Sequence, residues 1–303
     1  MRVSSFGKGV FFAALSYLLW GILPLYWKAL SAVNSLHILA FRIIFSLLLV
    51  GFLLAMQKST AWIACFKEKK KGGLLILASV TISFNWGLYI WAVNSGHTIE
   101  TSLGYYINPL VSVVFALLFF KEKLRPLQWA AFGIAMLGVL ILTALSGAPP
   151  WISLGLALSF GLYGVLKKVI NIPALESLGA ETLAASPLGL LLLVTRFEVA
   201  PNGKTAPIFG LQGISYLAEL PVHSWLLLLC CGAITALPLY FFARGARLLP
   251  LSTLGFIQFI SPTLQFLAGF FIFGEYFPVQ NFAAIGCIWG AAILYIVSQF
   301  QKE

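Results

Sequence analysis

The sequence has few charged residues, and its acidic residues include no aspartate. Charged residues make up 9% of the 303 residues. A soluble domain of similar length contains about 25% charged residues. Hydrophobic residues make up 60% of the chain. This composition excludes a disordered chain and an ordinary cytosolic enzyme, and it predicts a polytopic membrane protein.

The chain is also poor in the side chains and motifs of enzymatic chemistry. Its four cysteines form no CxxC pair, its three histidines lack metal-ligand spacing, and the absence of aspartate excludes an aspartyl dyad. The sequence contains no HExxH, GxSxG or Walker lysine motif. We therefore predict that the protein is not an enzyme and holds neither a metal nor a cofactor. An intramembrane enzyme or a scaffold is the weaker alternative.

Long apolar runs are abundant. A membrane-spanning helix needs about 20 mostly apolar residues, and ten stretches meet this requirement. The predicted fold is therefore all-α with ten transmembrane helices. The longest connection, 196–221, is predicted to be an ordered, turn-rich loop. The predicted spans are 9–28, 35–57, 74–93, 98–120, 127–145, 151–168, 175–195, 222–243, 250–273 and 278–299.

The net charge of +10 is distributed unevenly along the chain. Lys and Arg mark the cytoplasmic loops of membrane proteins. Fifteen of them fall in one alternating set of loops and ends, three fall in the other set, and Arg42 lies inside a span. This pattern places both termini in the cytoplasm and 196–221 outside. Membrane topology explains the basic charge better than nucleic-acid binding does, and the basic run at 67–71 is predicted to be a solvated loop.

The two halves of the chain, 1–148 and 149–303, resemble each other in order along the sequence. Each half carries five spans, an odd number, so the halves must lie in opposite orientations. Inverted repeats of this kind are typical of secondary transporters, which bind their substrate near the midplane between the repeats. The matched segments are 14–21 with 157–164, 102–105 with 253–256 and, after a two-residue gap, 108–109 with 261–262.

Arg42 lies inside the second span, on the order of 10 Å below the outer surface. An ion at this depth is a functional candidate, and its alternative is a structural pair that locks the span to a neighbour. We expect Arg42 to attract a substrate carboxylate or to hold a gate. Glu100 is the favoured acidic partner of Arg42 because it lies near the outer end of its span, on the same side of the membrane as Arg42. Glu181 is roughly 7–15 Å away in depth.

Glu100 and Glu181 are also the candidates for ion coupling, because a proton-coupled transporter needs a carboxylate that changes its protonation during the cycle. The alternative for Glu181 is a helix-start residue near the inner interface. Glu122 and Glu275 end repeat-related spans, at wet helix ends where their pKa values are expected to stay low. Beside Lys121 and Lys123, Glu122 is predicted to be a surface pair or a cap.

Aromatic and amide side chains occur together at mid-depth in several spans. A cavity lined by such side chains suits a flat, amphipathic organic ligand. Alternatively, the aromatic residues only pack between helices and the amides form interhelical hydrogen bonds. Pro109 and Pro262 are repeat-related hinge candidates, although proline is also common as packing in membrane helices. The predicted substrate-binding residues are Arg42, Asn85, Trp86, Tyr89, Tyr105, Asn108, Tyr163 and Gln258.

The stretches 85–94 and 100–111 resemble the RarD-type branch of the drug/metabolite transporter superfamily, which is built from paired EamA-type repeats. Segments 15–28 and 251–263 and the pair Glu181-Thr182 support the resemblance. It covers nearly the whole chain and implies ten helices, a central cavity and alternating access. This branch is linked by name to chloramphenicol sensitivity.

The residues and the resemblance together predict a secondary transporter of small organic molecules, an exporter in the bacterial inner membrane. Its partners are then the solute, the lipid bilayer and protons, and its oligomeric state is a monomer or a homodimer. No nucleic acid is expected. The alternative is an ion-independent facilitator or an importer of a metabolite.

Overall fold

Each of the ten predicted spans overlaps helical structure in the described part of the chain, and the ninth is divided between two short helices. The computed structural model describes residues 5–30, 33–94, 98–146, 151–199, 205–210, 214–272, 274 and 279–300. The helices are α1 Ser5–Ala29, α2 Ser35–Met56, α3 Ala61–Ala64, α4 Lys69–Asn94, α5 Thr98–Phe120, α6 Pro126–Ser146, α7 Trp151–Ile170, α8 Ala174–Leu193, α9 Val222–Leu248, α10 Leu251–Ile257, α11 Ile260–Leu267 and α12 Asn281–Phe300.

Length and composition identify seven candidate membrane spans among the described residues, formed by α1, α2, α4, α6, α7, α9 and the segment Leu251–Ile272. Two shorter apolar helices, Gly104–Phe120 and Phe282–Ser298, add to these spans. Many large apolar side chains remain exposed, including Leu118 at 68%. Such surfaces are unfavourable in water and suit lipid. The chain is therefore a multi-pass membrane protein.

Two predicted connections differ from the structure. Helix α4 begins at Lys69 rather than at 74, so part of the predicted basic loop forms its first turn. The segment predicted as the loop 196–221 contains an antiparallel hairpin, with β1 at Thr195–Val199 and β2 at Thr205–Phe209. A 3-10 turn at Ser215–Glu219 follows the hairpin. Backbone pairing within this connection therefore adds a small sheet to the helical fold.

The ninth predicted span, 250–273, is broken. Gln258 and Phe259 separate α10 from α11, at the place where the repeat has its two-residue gap. Pro262 has no N–H for the Gln258 carbonyl, which accepts a hydrogen bond from the Ser261 N–H at 3.1 Å instead.

Packing divides the chain into two compact units. Each unit combines segments from both halves of the sequence, so the units are not the predicted repeats 1–148 and 149–303. The repeats were inferred from similarity along the sequence and stay a prediction. The two units are defined by contacts between residues in the structure. The first unit is Met1–Pro24, Ala92–Val169 and Phe241–Glu303, and the second unit is Leu25–Trp91 and Ile170–Tyr240.

In the first unit, α5 packs against α10 and α6 packs against α12. Glycines allow the helices of both pairs to pack closely. A Cβ added to Gly255 would lie 2.9 Å from the carbonyl oxygen of Pro109, and one added to Gly138 would lie 2.8 Å from that of Ala284. A continuous apolar core that includes Val113 lies along these helices.

In the second unit, α2 packs against α8. It also approaches α9, where a Cβ added to Gly232 would lie 2.4 Å from the carbonyl oxygen of Phe45. The Ser46 hydroxyl donates to the Gly232 carbonyl at 3.2 Å. In the order of the predicted spans, the pairs α2–α8, α5–α10 and α6–α12 join the second to the seventh, the fourth to the ninth and the fifth to the tenth.

Candidate functional site

A pocket lies in the second unit among α2, α4, α8 and α9. The pocket is small, with room for about one water molecule. Two ionisable side chains, four hydroxyls and an indole line it together with apolar residues. The lining residues of this Arg42 pocket are Arg42, Ile43, Ser46, Ser79, Ile82, Ser83, Trp86, Leu178, Glu181, Thr182, Ala185 and Leu239.

Arg42 is held by two indole rings and a hydroxyl. Its side chain is only 4% exposed. The guanidinium carbon lies 4.3 Å from the ring centre of Trp86 and 4.7 Å from that of Trp27. Its Nε donates a hydrogen bond to the Thr235 hydroxyl at 3.1 Å. Cation–π contacts stabilise a desolvated guanidinium, so the second unit keeps a permanent positive charge inside an apolar bundle.

Glu181 contributes the acidic group of the same pocket. It is 3% exposed, and its Oε1 accepts a hydrogen bond from the Ser177 hydroxyl, one turn earlier in α8, at 2.8 Å. The Ser79 hydroxyl of α4 donates to the Glu181 carbonyl at 2.8 Å. Depth alone favoured Glu100 beside Arg42. The side chain of Glu100 lies outside the described residues, and Glu181 is the acid that lines the Arg42 pocket.

Sequence reasoning missed the hydroxyls of this pocket. Ser79, Ser83 and Trp86 recur at helical spacing on one face of α4, a signal that the apolar sequence around them obscures. Ser83 is 4% exposed, and its hydroxyl has no hydrogen-bond partner among the described residues. The pocket therefore offers a polar atom that a bound molecule can satisfy.

The predicted substrate-binding residues are divided between the units. Arg42 and Trp86 line the Arg42 pocket with Glu181, and no other predicted site residue of the described part lines it. Asn85, Trp86 and Tyr89 belong to the second unit, whereas Tyr105, Asn108, Tyr163 and Gln258 belong to the first.

Tyr163 is fully enclosed in an aromatic cluster of the first unit. Its ring stacks on Phe242 with centroids 5.8 Å apart and planes 16° apart. Trp20 packs edge-on against Phe160 at 5.4 Å, and Tyr17 lies 6.2 Å from Phe242. Because Tyr163 is 0% exposed, this structure presents it as a packing residue. A ligand would reach it only after a rearrangement.

Asn108 and Gln258 are buried polar residues of the first unit, exposed by 1% and 4%. Both side-chain polar atoms of Asn108 and the Gln258 Oε1 lack a hydrogen-bond partner among the described residues. The hinge candidates Pro109 and Pro262 lie on the same pair of helices. The Tyr106 hydroxyl donates to the Pro262 carbonyl at 3.4 Å.

Glu122 follows α5 and accepts hydrogen bonds at the start of α10. Its carboxylate accepts from Lys168 Nζ at 3.0 Å, from the Leu251 N–H at 2.7 Å, and from the Ser252 N–H and hydroxyl at 3.1 and 2.7 Å. Burial raises the pKa of Glu122, but these hydrogen bonds outweigh burial and hold the pKa below 4.5. Glu122 is therefore a cap, one of the two roles predicted for it, and hydrogen bonds rather than exposure to water keep its pKa low. Glu275 lies outside the described residues.

Metal-ligating side chains do not cluster in the described part of the chain. No group of three or more His, Cys, Asp or Glu residues there could hold a metal ion.

Comparison with known proteins gives consistent matches. Residues 7–144 match the EamA-like transporter family. The chain is 43% identical to "Uncharacterized transporter YojE" of Bacillus subtilis (strain 168), covering 97% of this chain and 95% of that protein. It is 41% identical to "Protein RarD" of Streptomyces exfoliatus, covering 94% and 87%. A solved structure described as "Crystal structure of protein" superposes with a TM-score of 0.66 at 17% identity, covering 95% of this chain and 98% of that one.

Proposed function

Since the chain belongs to the EamA-like transporter family, in the RarD-type branch of the drug/metabolite transporter superfamily, we propose that it is a secondary active exporter of small organic solutes. It is a membrane transporter by family. The proposal goes beyond family membership in four respects. Transport is secondary active, the solute is exported, the solute is a small organic molecule, and the protein lies in the bacterial inner membrane. Both termini are proposed to be cytoplasmic.

The Arg42 pocket is the observation that carries the proposal. Ionisable groups inside an apolar bundle are costly and mark ion or substrate pathways. Arg42 and Glu181 are both at least 95% buried and line one pocket. A buried carboxylate that shares a pocket with a permanent cation is a candidate for ion coupling. We assign this role to Glu181 and keep Glu100 as a second candidate.

The helix pairing supports transport by alternating access. An inverted repeat relates its halves by a pseudo-two-fold axis, and a two-fold axis brings equivalent elements together. The contacts of α2 with α8, α5 with α10 and α6 with α12 join spans at the same place in the two proposed repeats and so support this arrangement. In the proposed cycle the repeats rock about the substrate, and Pro109 and Pro262 let the central helices bend.

The cargo is proposed to contact polar and aromatic side chains in the course of this cycle. Trp86 lines the Arg42 pocket, and Asn108 and Gln258 present unpaired polar atoms in the first unit. Asn85, Tyr89, Tyr105 and Tyr163 complete the proposed set.

Proteoliposomes that contain a pH-sensitive dye test the proposal. The vesicles are exposed to a library of metabolites and drugs, and the internal pH and solute uptake are recorded together. Exchange of a compound for protons supports the secondary transporter. Uptake that ignores an imposed pH difference identifies a facilitator, and chemical conversion of a compound identifies an enzyme.

A further inference from the structure

The connection between α2 and α4 carries a concentrated positive charge. Residues 57–71 contain five lysines and one acid, Glu68, so their formal net charge is +4. Glu68 pairs with Lys71 at 2.8 Å, which leaves no further acid within the connection to balance the other four lysines. Those four are exposed. The five residues, here called the lysine patch, are Lys58, Lys67, Lys69, Lys70 and Lys71.

The lysine patch lies at the membrane surface because its connection joins the ends of two spans. Helix α2 ends at Met56 and α4 begins at Lys69, and both helices are long and apolar enough to cross a membrane. The first turn of α4 contains lysines and no acid. Acids are favoured in a first turn because the helix dipole is positive there. The lysines add their charge to this end of α4 instead, so it attracts anions.

The connection is folded against its neighbouring helices. It contains α3 and a 3-10 turn at Cys65–Lys67. A Cβ added to Gly179 of α8 would lie 3.2 Å from the Trp62 ring, and one added to Gly72 of α4 would lie 3.2 Å from the Phe66 Cα. These contacts keep the backbone of the connection close to the ends of the spans, at the depth of the lipid headgroups.

The same connection also presents apolar side chains. Met56, the last residue of α2, is 68% exposed, and Ile63 of α3 is 49% exposed. No residue of α3 is buried. Exposed apolar and basic side chains occur together in segments that lie in the membrane interface, where apolar groups reach the acyl chains and lysines reach the headgroups. A soluble anion or a nucleic acid would leave the apolar side chains in water, whereas a lipid contacts both kinds of side chain.

We propose that the lysine patch binds the headgroup of an anionic phospholipid, whose acyl chains contact Met56 and Ile63. Each lysine near an anionic membrane surface strengthens such binding by about fivefold. The prediction of a solvated basic loop treats these lysines as a signal of topology, and lipid binding gives the same charges a ligand. The inference goes beyond the proposed function, because it concerns the lipid around the protein and not the solute or the coupling ion.

Two phospholipids with identical acyl chains test the proposal on the full-length wild-type protein in detergent micelles. Phosphatidylglycerol is an anion, and phosphatidylcholine is zwitterionic. Native mass spectrometry counts the lipids that stay bound, and binding to the folded state raises the apparent melting temperature. We expect phosphatidylglycerol to be retained and to stabilise the protein far more than phosphatidylcholine does. Equal retention of the two lipids would overturn the proposal.

The salt dependence of this stabilisation is a second measurement on the wild-type protein. At 1 M ionic strength the Debye length is about 3 Å, so exposed lysines attract a phosphate only weakly. The difference in melting temperature between the two lipids should therefore disappear at this ionic strength. A difference that persists unchanged would mean that the lysines do not select the lipid, and it would overturn the proposal.

A triple variant locates the binding. Lys67→Gln, Lys69→Gln and Lys70→Gln together remove three exposed charges. They should weaken phosphatidylglycerol binding by about a hundredfold and leave the melting temperature of the lipid-free protein unchanged. Unchanged binding in the triple variant would overturn the proposal.

The matched control removes three exposed basic side chains from the connection between α5 and α6 by Lys121→Gln, Lys123→Gln and Arg125→Gln. Residues 121–125 carry a formal net charge of only +2, and their one apolar residue, Leu124, is half-buried. The control should therefore keep phosphatidylglycerol binding. An equal loss in both triple variants would mean that any basic surface attracts the lipid, and it would reject the lysine patch as a site.

The apolar contact separates a lipid from a soluble phosphate. Ile63→Gln keeps every lysine and should weaken phosphatidylglycerol binding by about fivefold. Glycerol 3-phosphate carries the phosphate without acyl chains and should not stabilise the wild-type protein at the same concentration. Unchanged lipid binding in Ile63→Gln, or equal stabilisation by glycerol 3-phosphate, would assign the lysine patch to a soluble anion and overturn lipid binding.

Discussion

The guanidinium carbon of Arg42 lies 4.3 Å from the centre of the Trp86 ring. A second indole, Trp27, lies 4.7 Å from the same carbon. The planar group is thus held against aromatic faces in a site that water reaches poorly. This relationship explains how a permanent charge persists in an apolar span, and it makes the position sensitive to the shape of the cation.

Arg42→Lys should reduce the initial rate of solute exchange in liposomes by about tenfold or more, with normal amounts of protein in the membrane. Lysine keeps the charge but loses the planar fork, and each cation–π contact of a desolvated cation is worth up to about 2 kcal/mol. Arg244→Lys is the control, since Arg244 also lies over a ring, 4.0 Å from Phe12. An unchanged rate in Arg42→Lys would make Arg42 a packing residue.

Glu181→Gln should abolish accumulation driven by a pH difference and spare exchange at equal pH on both sides. Glutamine keeps the shape of the side chain but cannot carry a proton. Glu176→Gln, one turn nearer the start of α8, is the control and should behave as the wild type. If Glu181→Gln and Glu100→Gln both still accumulate solute, these carboxylates are not the proton carriers.

Glu122→Gln should lower stability at neutral pH by about 1–3 kcal/mol, because the charged acceptor of four hydrogen bonds is lost. The pKa of Glu122 is held below 4.5 in the folded protein. Its stabilisation is therefore complete well above pH 4.5 and is lost as the pH falls through the folded value. Thermal unfolding against pH should show the two proteins converging in acid.

Glu68→Gln is the control for that series. Glu68 pairs with Lys71 at 2.8 Å, and both side chains are largely exposed. Exposed pairs contribute at most about 1 kcal/mol, so this variant should differ little from the wild type. A gap between wild type and Glu122→Gln that persists unchanged into acid would contradict the role assigned to the carboxylate.

Gly138→Ala should destabilise the protein by about 1–3 kcal/mol through overpacking of α6 against α12. The new Cβ would meet the Ala284 carbonyl oxygen at 2.8 Å, a backbone atom that cannot move aside. Gly133→Ala, in the same helix, meets nothing within 4 Å and should raise stability by up to about 1 kcal/mol. Equal melting temperatures for the two variants would contradict the packing of these helices.

Cysteine labelling tests the proposed topology. In a background without the four native cysteines, Lys70→Cys should react only with a reagent that enters the cytoplasm. Glu219→Cys should react with an impermeant reagent in intact cells. Both positions are exposed. Labelling at position 70 from outside would reject the model of ten spans with cytoplasmic termini.

The sequence alone determined the class of the protein and the positions of its helices. Apolar runs of about 20 residues can avoid unpaired backbone groups in lipid only as helices, so the spans follow from composition and length. The absence of aspartate and of enzyme motifs also led to the prediction that the protein is not an enzyme. The sequence also showed matched segments in the same order in its two halves. Residue spacing gave an estimate of the depth of Arg42 in the membrane.

Only the tertiary structure decided which of these residues meet. Residue spacing gives depth along a helix but not the neighbour that faces it. The structure packs Trp27 and Thr235 against Arg42 and places Glu181 in the same pocket. The pairing of Arg42 with Glu100 stays a prediction, because the Glu100 side chain lies outside the described residues. The pairing of α2 with α8 and the enclosure of Tyr163 arise from contacts distant in sequence. The break at Gln258 likewise shows as a two-residue gap in the repeat, but its unpaired amide oxygen becomes apparent only once neighbouring helices surround it.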